Sequence, residues 1–292
     1  MNGKVMTGGR QLERVKQHLD LIREVASGKN NNGIFSRVIK SNKNGVVKNL
    51  YAKVTIENNF PDALSSSSTS FTALTLAACK AIGLDVSKKE VSKIARQGSG
   101  TACRSVYGGL VEWTKGGKKD GSDSHAVQIN EHSDWQDLRA VMLILDPKEK
   151  KIKGSQGMKI SKESSPFYEE WVKATEKDMK DMKAAITQKD FSRVGRIMEE
   201  NCLRLHSLMI SSSPSLIYWK PETLIMIEKI RNLRENDLNC YFTIDAGANV
   251  TLLCLEKDVE RVIESLDGIP FIHDFIICSP GEDAKLYEEH LF

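Results

Sequence analysis

Gly98-Ser99-Gly100-Thr101-Ala102-Cys103-Arg104-Ser105 places small hydroxyls, two glycines and one arginine at consecutive positions. Glycine lets a backbone approach a ligand closely, and exposed N–H groups, hydroxyls and a guanidinium all favour oxyanions. Taken alone, the stretch admits two readings. One is a site for a phosphate or carboxylate ligand; the other is a Gly/Ser turn carrying a solvated arginine.

The chain around it has 292 residues, enough to bury a substantial core as one large domain or two lobes. Hydrophobic residues make up 40% and charged residues 28%, as in an ordinary globular protein. The net charge of +3 is small, and lysine and glutamate are interspersed rather than blocked. No basic stripe with interleaved aromatics is present, which argues against nucleic acid as a partner. The six cysteines (Cys79, Cys103, Cys202, Cys240, Cys254, Cys278) have no C-x-x-C spacing and no neighbouring histidines. A structural zinc site and a disulfide framework are therefore not expected, and buried thiols in a reducing compartment are. With no secretory apolar stretch and no run long enough to span a bilayer, the expected location is the cytoplasm.

Periodicity gives the organisation. Apolar residues at Leu12, Val15, Leu19, Ile22 and Val25 predict an amphipathic helix over 10–25. Residues 28–48 are polar with Asn/Gly turn signals and read as a loop or hairpin edge, and the alternation over 51–56 reads as a strand. Helices are predicted over 71–82, 88–95, 166–186, 194–209 and 221–233, and strands over 138–145, 240–244 and 250–255. In the helix over 166–186, Trp171, Met179, Met182 and Ile186 form a core stripe, with Thr175 its one polar slot. Alternating helices and strands predict an α/β or α+β architecture.

The run from Ile94 to Gln128 adds Tyr107-Gly108-Gly109-Leu110-Val111-Glu112-Trp113 and Asp120-Gly121-Ser122-Asp123-Ser124 to the opening stretch. As a whole it resembles diphosphomevalonate decarboxylase, a family within the superfamily of galactokinase, homoserine, mevalonate and phosphomevalonate kinases. A second resemblance lies at Tyr241-Phe242-Thr243-Ile244-Asp245-Ala246-Gly247-Ala248-Asn249-Val250, similar to the family's segment with the catalytic aspartate, with Ala248 where a proline is usual. The two segments stand in the family's order and rough separation, and the resemblance extends from Asn2 to about Leu266. It implies a two-lobed α+β fold, with an N-terminal lobe over 1–134 like ribosomal protein S5 domain 2 and a ferredoxin-like C-terminal lobe over 135–292. Met1-Asn2-Gly3-Lys4 is similar to an internal segment of the family, and the Tyr-Trp-Gly-Lys motif that precedes it there is absent from the sequence. The expectation is a chain that begins late, or a divergent and impaired relative.

The resemblance implies ATP-dependent decarboxylation of (R)-5-diphosphomevalonate to isopentenyl diphosphate in isoprenoid and sterol synthesis, with ATP and magnesium as cofactors and a homodimer as the assembly. A carboxylate is needed to position the tertiary hydroxyl and to stabilise positive charge developing at that carbon. Asp245, beside Ala246-Gly247, takes that role, against the plainer reading of a turn aspartate before glycine. Arg104 is the second catalytic candidate, its planar fork matched to the substrate carboxylate. Ser99, Gly100, Thr101, Ala102, Cys103 and Arg104 form the implied substrate-binding segment. Ser155, in Gly154-Ser155-Gln156-Gly157-Met158, matches a position where a hydroxyl meets substrate, and Arg14 matches an arginine at the diphosphate end. The plain readings are a loop serine and a solvated helix arginine.

Ser66 and Ser67 align with a serine pair that meets ATP phosphate or magnesium. They stand in Pro61-Asp62-Ala63-Leu64-Ser65-Ser66-Ser67-Ser68-Thr69, which is shorter than the family's loop and has Ala63 for its glycine. His206 lies in a family-like segment too, but a lone helix histidine is expected to be structural and stays outside the candidate site. The alternatives are a sister kinase of the mevalonate pathway, a decarboxylase acting on the monophosphate, or a catalytically impaired relative serving as a dimer partner.

Overall fold

The computed structural model describes residues 12–27, 67–148 and 151–286. The expected loop over 28–48, the strand over 51–56, Met1-Asn2-Gly3-Lys4 and Ser66 lie outside these residues. The described chain is α+β and forms two units: Met1–Glu131 with Gly281–Phe292, and His132–Pro280. Residues Gly281 to Leu286, expected in the second lobe, thus belong with the first unit.

In the first unit the helices α1 (Leu12–Ser27), α2 (Ser67–Ala81) and α3 (Lys88–Gly98) start and end within a few residues of the predicted spans. Helix α3 begins where Ser87 and Glu90 form a reciprocal capping box, each side chain bonding the other's backbone N–H. Its buried residues Val91, Ser92, Ile94 and Ala95 recur at helical spacing. Ile94 packs with Ile22, Val25, Ala78 and Cys79, and Ala95 with Phe71, Leu74 and Ala102, which joins the three helices into one core. A 3₁₀ helix (Gly100–Val106) follows, then an antiparallel hairpin of β1 (Leu110–Trp113) and β2 (Ala126–Asn130).

The second unit is built on a four-stranded antiparallel sheet in the order β4-β5-β3-β6, formed by Tyr241–Thr243, Val250–Leu255, Leu138–Ile144 and Asp274–Cys278. Its register sets Phe242 opposite Leu252, Leu252 opposite Val141, and Val250 opposite Leu143, so these side chains share one face. Helices α7 (Pro221–Glu235) and α8 (Val259–Leu266) cover that face through Met226, Ile227, Ile230, Val262 and Leu266. Helix α5 (Tyr168–Thr187) packs on α6 (Phe191–Ile210), and α6 runs along the outer edge of β4. The stripe predicted on α5 is fully buried at Ile186, while Trp171, Met179 and Met182 are half-buried. Helix α4 (Gly154–Ser164) is fastened to the end of α6 by paired hydroxyls, Ser212 to Ser161 at 2.8 Å and Ser165 to Ser211 at 2.7 Å.

Candidate functional site

In the segment Ser99–Arg104, Ser99 caps the end of α3 and Gly100–Arg104 form most of the 3₁₀ helix, in place of a plain Gly/Ser turn. Its glycines serve packing. A Cβ on Gly98 would stand 2.2 Å from the Phe71 ring, and one on Gly100 would stand 2.7 Å from the Trp113 ring. The side chains of Ala102 and Cys103 are fully buried, and burial pushes the Cys103 thiol up to about 11. As expected substrate contacts these two are corrected: both residues lie wholly within the core, and their carbonyls are taken by Thr72 and Ser92.

The carbonyls of the segment are turned inward. Arg14 donates to the Gly98 carbonyl at 2.6 Å, the Cys103 thiol to Gly100 at 3.1 Å, Thr72 to Ala102 at 2.7 Å and Ser92 to Cys103 at 3.0 Å. Satisfying these oxygens from inside removes the negative dipole ends that would repel an anion. Arg104 is exposed, and Ser99 and Thr101 are half-buried. Thr101 shares a short hydroxyl–hydroxyl bond with Ser68 in the first turn of α2, which ties this segment to the start of the serine-rich helix. Ser67 opens α2. The plain alternative for Arg14, a solvated helix arginine, does not hold: its guanidinium bonds the Gly98 carbonyl and sits 5.0 Å from the Phe71 ring centroid.

In the second unit Asp245 follows β4 and is itself exposed, on a turn whose neighbouring residues Ile244, Ala246 and Ala248 are buried. The Gly247 N–H donates to the Asp245 carbonyl at 2.6 Å, and Thr223 donates to the Ala248 carbonyl at 2.8 Å. Asn249 accepts from the N–H groups of Leu145 and Asp146, both at 2.9 Å. Upstream, the Ile244 N–H donates to the Cys202 sulfur at 3.1 Å, and the His206 ring Nε2 lies 3.1 Å from the Ile244 carbonyl. Ser155 is exposed in the first turn of α4, not on a loop, and a Cβ on the preceding Gly154 would stand 3.2 Å from Ala246. The fold thus brings the turn of Asp245 against the helix start that carries Ser155.

Ser68, Thr72, Ser92, Thr223 and Asn249 were not identified from sequence. Thr72 and Ser92 carry a signal that would have found them: a hydroxyl on the apolar face of a helix, where its burial requires a hydrogen-bond partner. Among the described residues no group of three or more His, Cys, Asp or Glu could hold a metal ion, and no helix is long and apolar enough to cross a membrane.

Residues 1–126 match the diphosphomevalonate decarboxylase-like N-terminal domain, and residues 140–278 match the mevalonate 5-diphosphate decarboxylase C-terminal domain. The diphosphomevalonate decarboxylase of Eremothecium gossypii is 35% identical over 73% of this chain and 55% of its own length. That of Saccharomyces cerevisiae is 33% identical over 80% of this chain and 59% of its own. The chain therefore spans little more than half the length of these curated relatives. Among solved structures, the mevalonate diphosphate decarboxylase from Enterococcus faecalis superposes with a TM-score of 0.77 at 30% identity, over 95% of this chain and 78% of its own. A structure described as MDDEF in complex with MVAPP, AMPPCP and magnesium gives 0.78 at 29% identity, over 97% of this chain and 80% of its own.

Proposed function

The chain belongs to the diphosphomevalonate decarboxylase family, and from that premise we propose that it takes part in ATP-dependent decarboxylation of diphosphomevalonate to isopentenyl diphosphate. The observation that carries this reading is the exposed Asp245 carboxylate on a turn whose flanking peptides are hydrogen-bonded on both sides.

Asp245 accepts a hydrogen bond from the tertiary hydroxyl and so orients its oxygen. As carbon dioxide and phosphate depart, the same carboxylate faces the carbon on which positive charge develops. Arg104 grips the substrate carboxylate with its planar fork, which orients the carbon–carbon bond that breaks. Ser99 and Thr101 offer hydroxyls to the substrate's anionic groups, with Ser155 as a further contact. Arg14 holds the backbone of this segment and presents positive charge beside the diphosphate. The first turn of α2 contains hydroxyls and no acidic residue, a donor set that fits nucleotide phosphates. By the family resemblance Ser66 and Ser67 would hold ATP and magnesium, and the nucleotide would supply the phosphoryl group that makes the tertiary oxygen a leaving group. In this reading the protein acts in the cytoplasm as a homodimer and feeds isoprenoid and sterol synthesis.

The test is carbon dioxide release from carboxyl-labelled diphosphomevalonate, with and without ATP–magnesium, on the chain and on Asp245→Asn. The parent should release carbon dioxide only with nucleotide. The variant should bind substrate and lose about 10²- to 10⁴-fold in rate, the usual size of a positioned acid–base group. Near-normal release by Asp245→Asn would falsify the assigned role. A parent that forms ADP without carbon dioxide would be a sister kinase, and one that binds substrate without turnover an impaired relative.

A further inference from the structure

We propose that His206 is the positioning residue that sets the direction of the Asp245 carboxylate, by fixing the peptide plane through which the chain enters that residue. The inference rests on the reading of Asp245 given above.

Strand β4 is an edge strand, and its outer edge is met by one face of α6 instead of another strand. Glu199, Cys202 and His206 recur at helical spacing on that face. Glu199 accepts from the Phe242 N–H at 3.0 Å, and Cys202 accepts from the Ile244 N–H at 3.1 Å. His206 then meets the Ile244 carbonyl at 3.1 Å. The side chains of α6 therefore continue the ladder up to the last peptide before Asp245. That carbonyl, which the Cys202 thiol also reaches at 3.5 Å, shares a rigid plane with the Asp245 N–H, so holding its oxygen fixes the peptide unit from which the Asp245 Cα–Cβ bond departs and leaves rotation about the N–Cα bond as the one remaining backbone freedom there.

His206 is suited to this by its surroundings. It is 1% exposed, and its ring lies 4.7 Å from that of Trp219, tilted 39°. Burial pushes its pKa down, against the opposing pull of the Ile244 carbonyl and of Asp245, which keeps the imidazole neutral. A carbonyl can only accept, so the neutral ring carries its proton on Nε2. A neutral donor fixes the peptide without placing a second charge beside the one Asp245 must present. Downstream of Asp245 the turn is held by Gly247, Thr223 and Asn249; upstream the task falls to Cys202 and His206.

The experiment compares the full chain with His206→Phe, which retains an aromatic ring against Trp219 but has no donor, and His206→Gln, whose amide can reach the same carbonyl. Three readouts are taken: kcat and KM for ATP-dependent carbon dioxide release, thermal unfolding, and amide hydrogen exchange of the peptide covering 244–249. His206→Phe should lower kcat about 10-fold or more with KM within about twofold, since small misplacements of a reacting group cost that much. It should also speed exchange at Asp245–Gly247, and His206→Gln should restore most of both. Unchanged kcat and exchange in His206→Phe would overturn the proposal. So would equal losses in both variants that track their melting temperatures. If the parent releases no carbon dioxide, the functional reading fails on its own. Exchange then decides the positioning role: faster in His206→Phe and normal in His206→Gln supports it, and no difference sinks it.

Discussion

At the scale of single residues, buried polar groups in this protein fix their own chemistry through the partners they find. His18 is 2% exposed, and burial pushes its pKa from 6.5 down to about 4. Its Nε2 lies 2.8 Å from the Thr75 hydroxyl, whose hydrogen is already donated to the Phe71 carbonyl at 2.6 Å. The ring must therefore donate from Nε2, and Nδ1, buried without a hydrogen-bond partner, has no acceptor waiting for a second proton. Between pH 6.5 and 4 the unfolded chain takes up a proton at His18 that the folded chain refuses. Stability from this group is thus complete above the upper limit and falls as the pH drops through the window, by about 3 kcal/mol in all at ~1.4 kcal/mol per pKa unit. Urea unfolding at a series of pH values should show a steeper acid loss for the parent than for His18→Gln; parallel curves would remove His18 from the account. Such a residue is half legible in sequence. Its place on the predicted helix over 10–25 marks it as buried, but nothing local names Thr75 as its partner.

At the scale of elements, contact distance decides more than propensity does. Helix α6 lies so close to β4 that a Cβ on Gly195 would stand 2.1 Å from the Tyr241 ring. The same closeness lets Glu199 reach both Arg234, at 2.9 and 3.1 Å, and the Phe242 N–H. Gly195→Ala must move the helix or the ring, and overpacking of this kind costs about 3 kcal/mol. The thermal midpoint should fall clearly, and activity should fall with it because the same helix carries Cys202 and His206. A variant melting with the parent would mean that the spacing is slack. Spans of the long helices were legible because they carry a period: α6 and α7 extend their predicted ranges by a few residues, and β5 matches the predicted 250–255, a compact apolar run. The 3₁₀ helix, the hairpin, α4 and β6 were not. They are short, and α4 opens with glycine and serine that read locally as a turn.

At the scale of the molecule, the chain returns to its first unit after completing the second. From Gly281 it lies along the segment that follows the 3₁₀ helix: Gly109 donates to the Gly281 carbonyl at 2.8 Å, Gly108 to the Asp283 carboxylate at 2.9 Å, and Lys88 pairs with Asp283. A Cβ on Gly108 would stand 2.5 Å from the Gly281 carbonyl oxygen, so this glycine exists to admit the returning strand of chain. Removing the residues after Pro280 should destabilise the first unit by about 1–3 kcal/mol through lost hydrogen bonds and exposed partners. Hydrogen exchange should rise around Gly108 and Gly109, while the sheet of the second unit keeps its protection. Equal exchange in both chains would show the return to be incidental.

The sequence by itself determined the α+β class, the long helices and strands, the family, and Asp245 and Arg104 as candidate chemistry, because periodicity and short motifs are local properties of the chain. The tertiary structure alone decided which of the motif residues face outward. Gly98 and Gly100 serve Phe71 and Trp113, Ala102 and Cys103 serve the core, and Arg14 serves a backbone carbonyl. It also decided that the peptide before Asp245 is held by a helix some forty residues upstream. The reason is physical: a hydrogen bond or a close packing contact is set by distance in space, and a residue's neighbours along the chain do not specify which distant atom will arrive beside it.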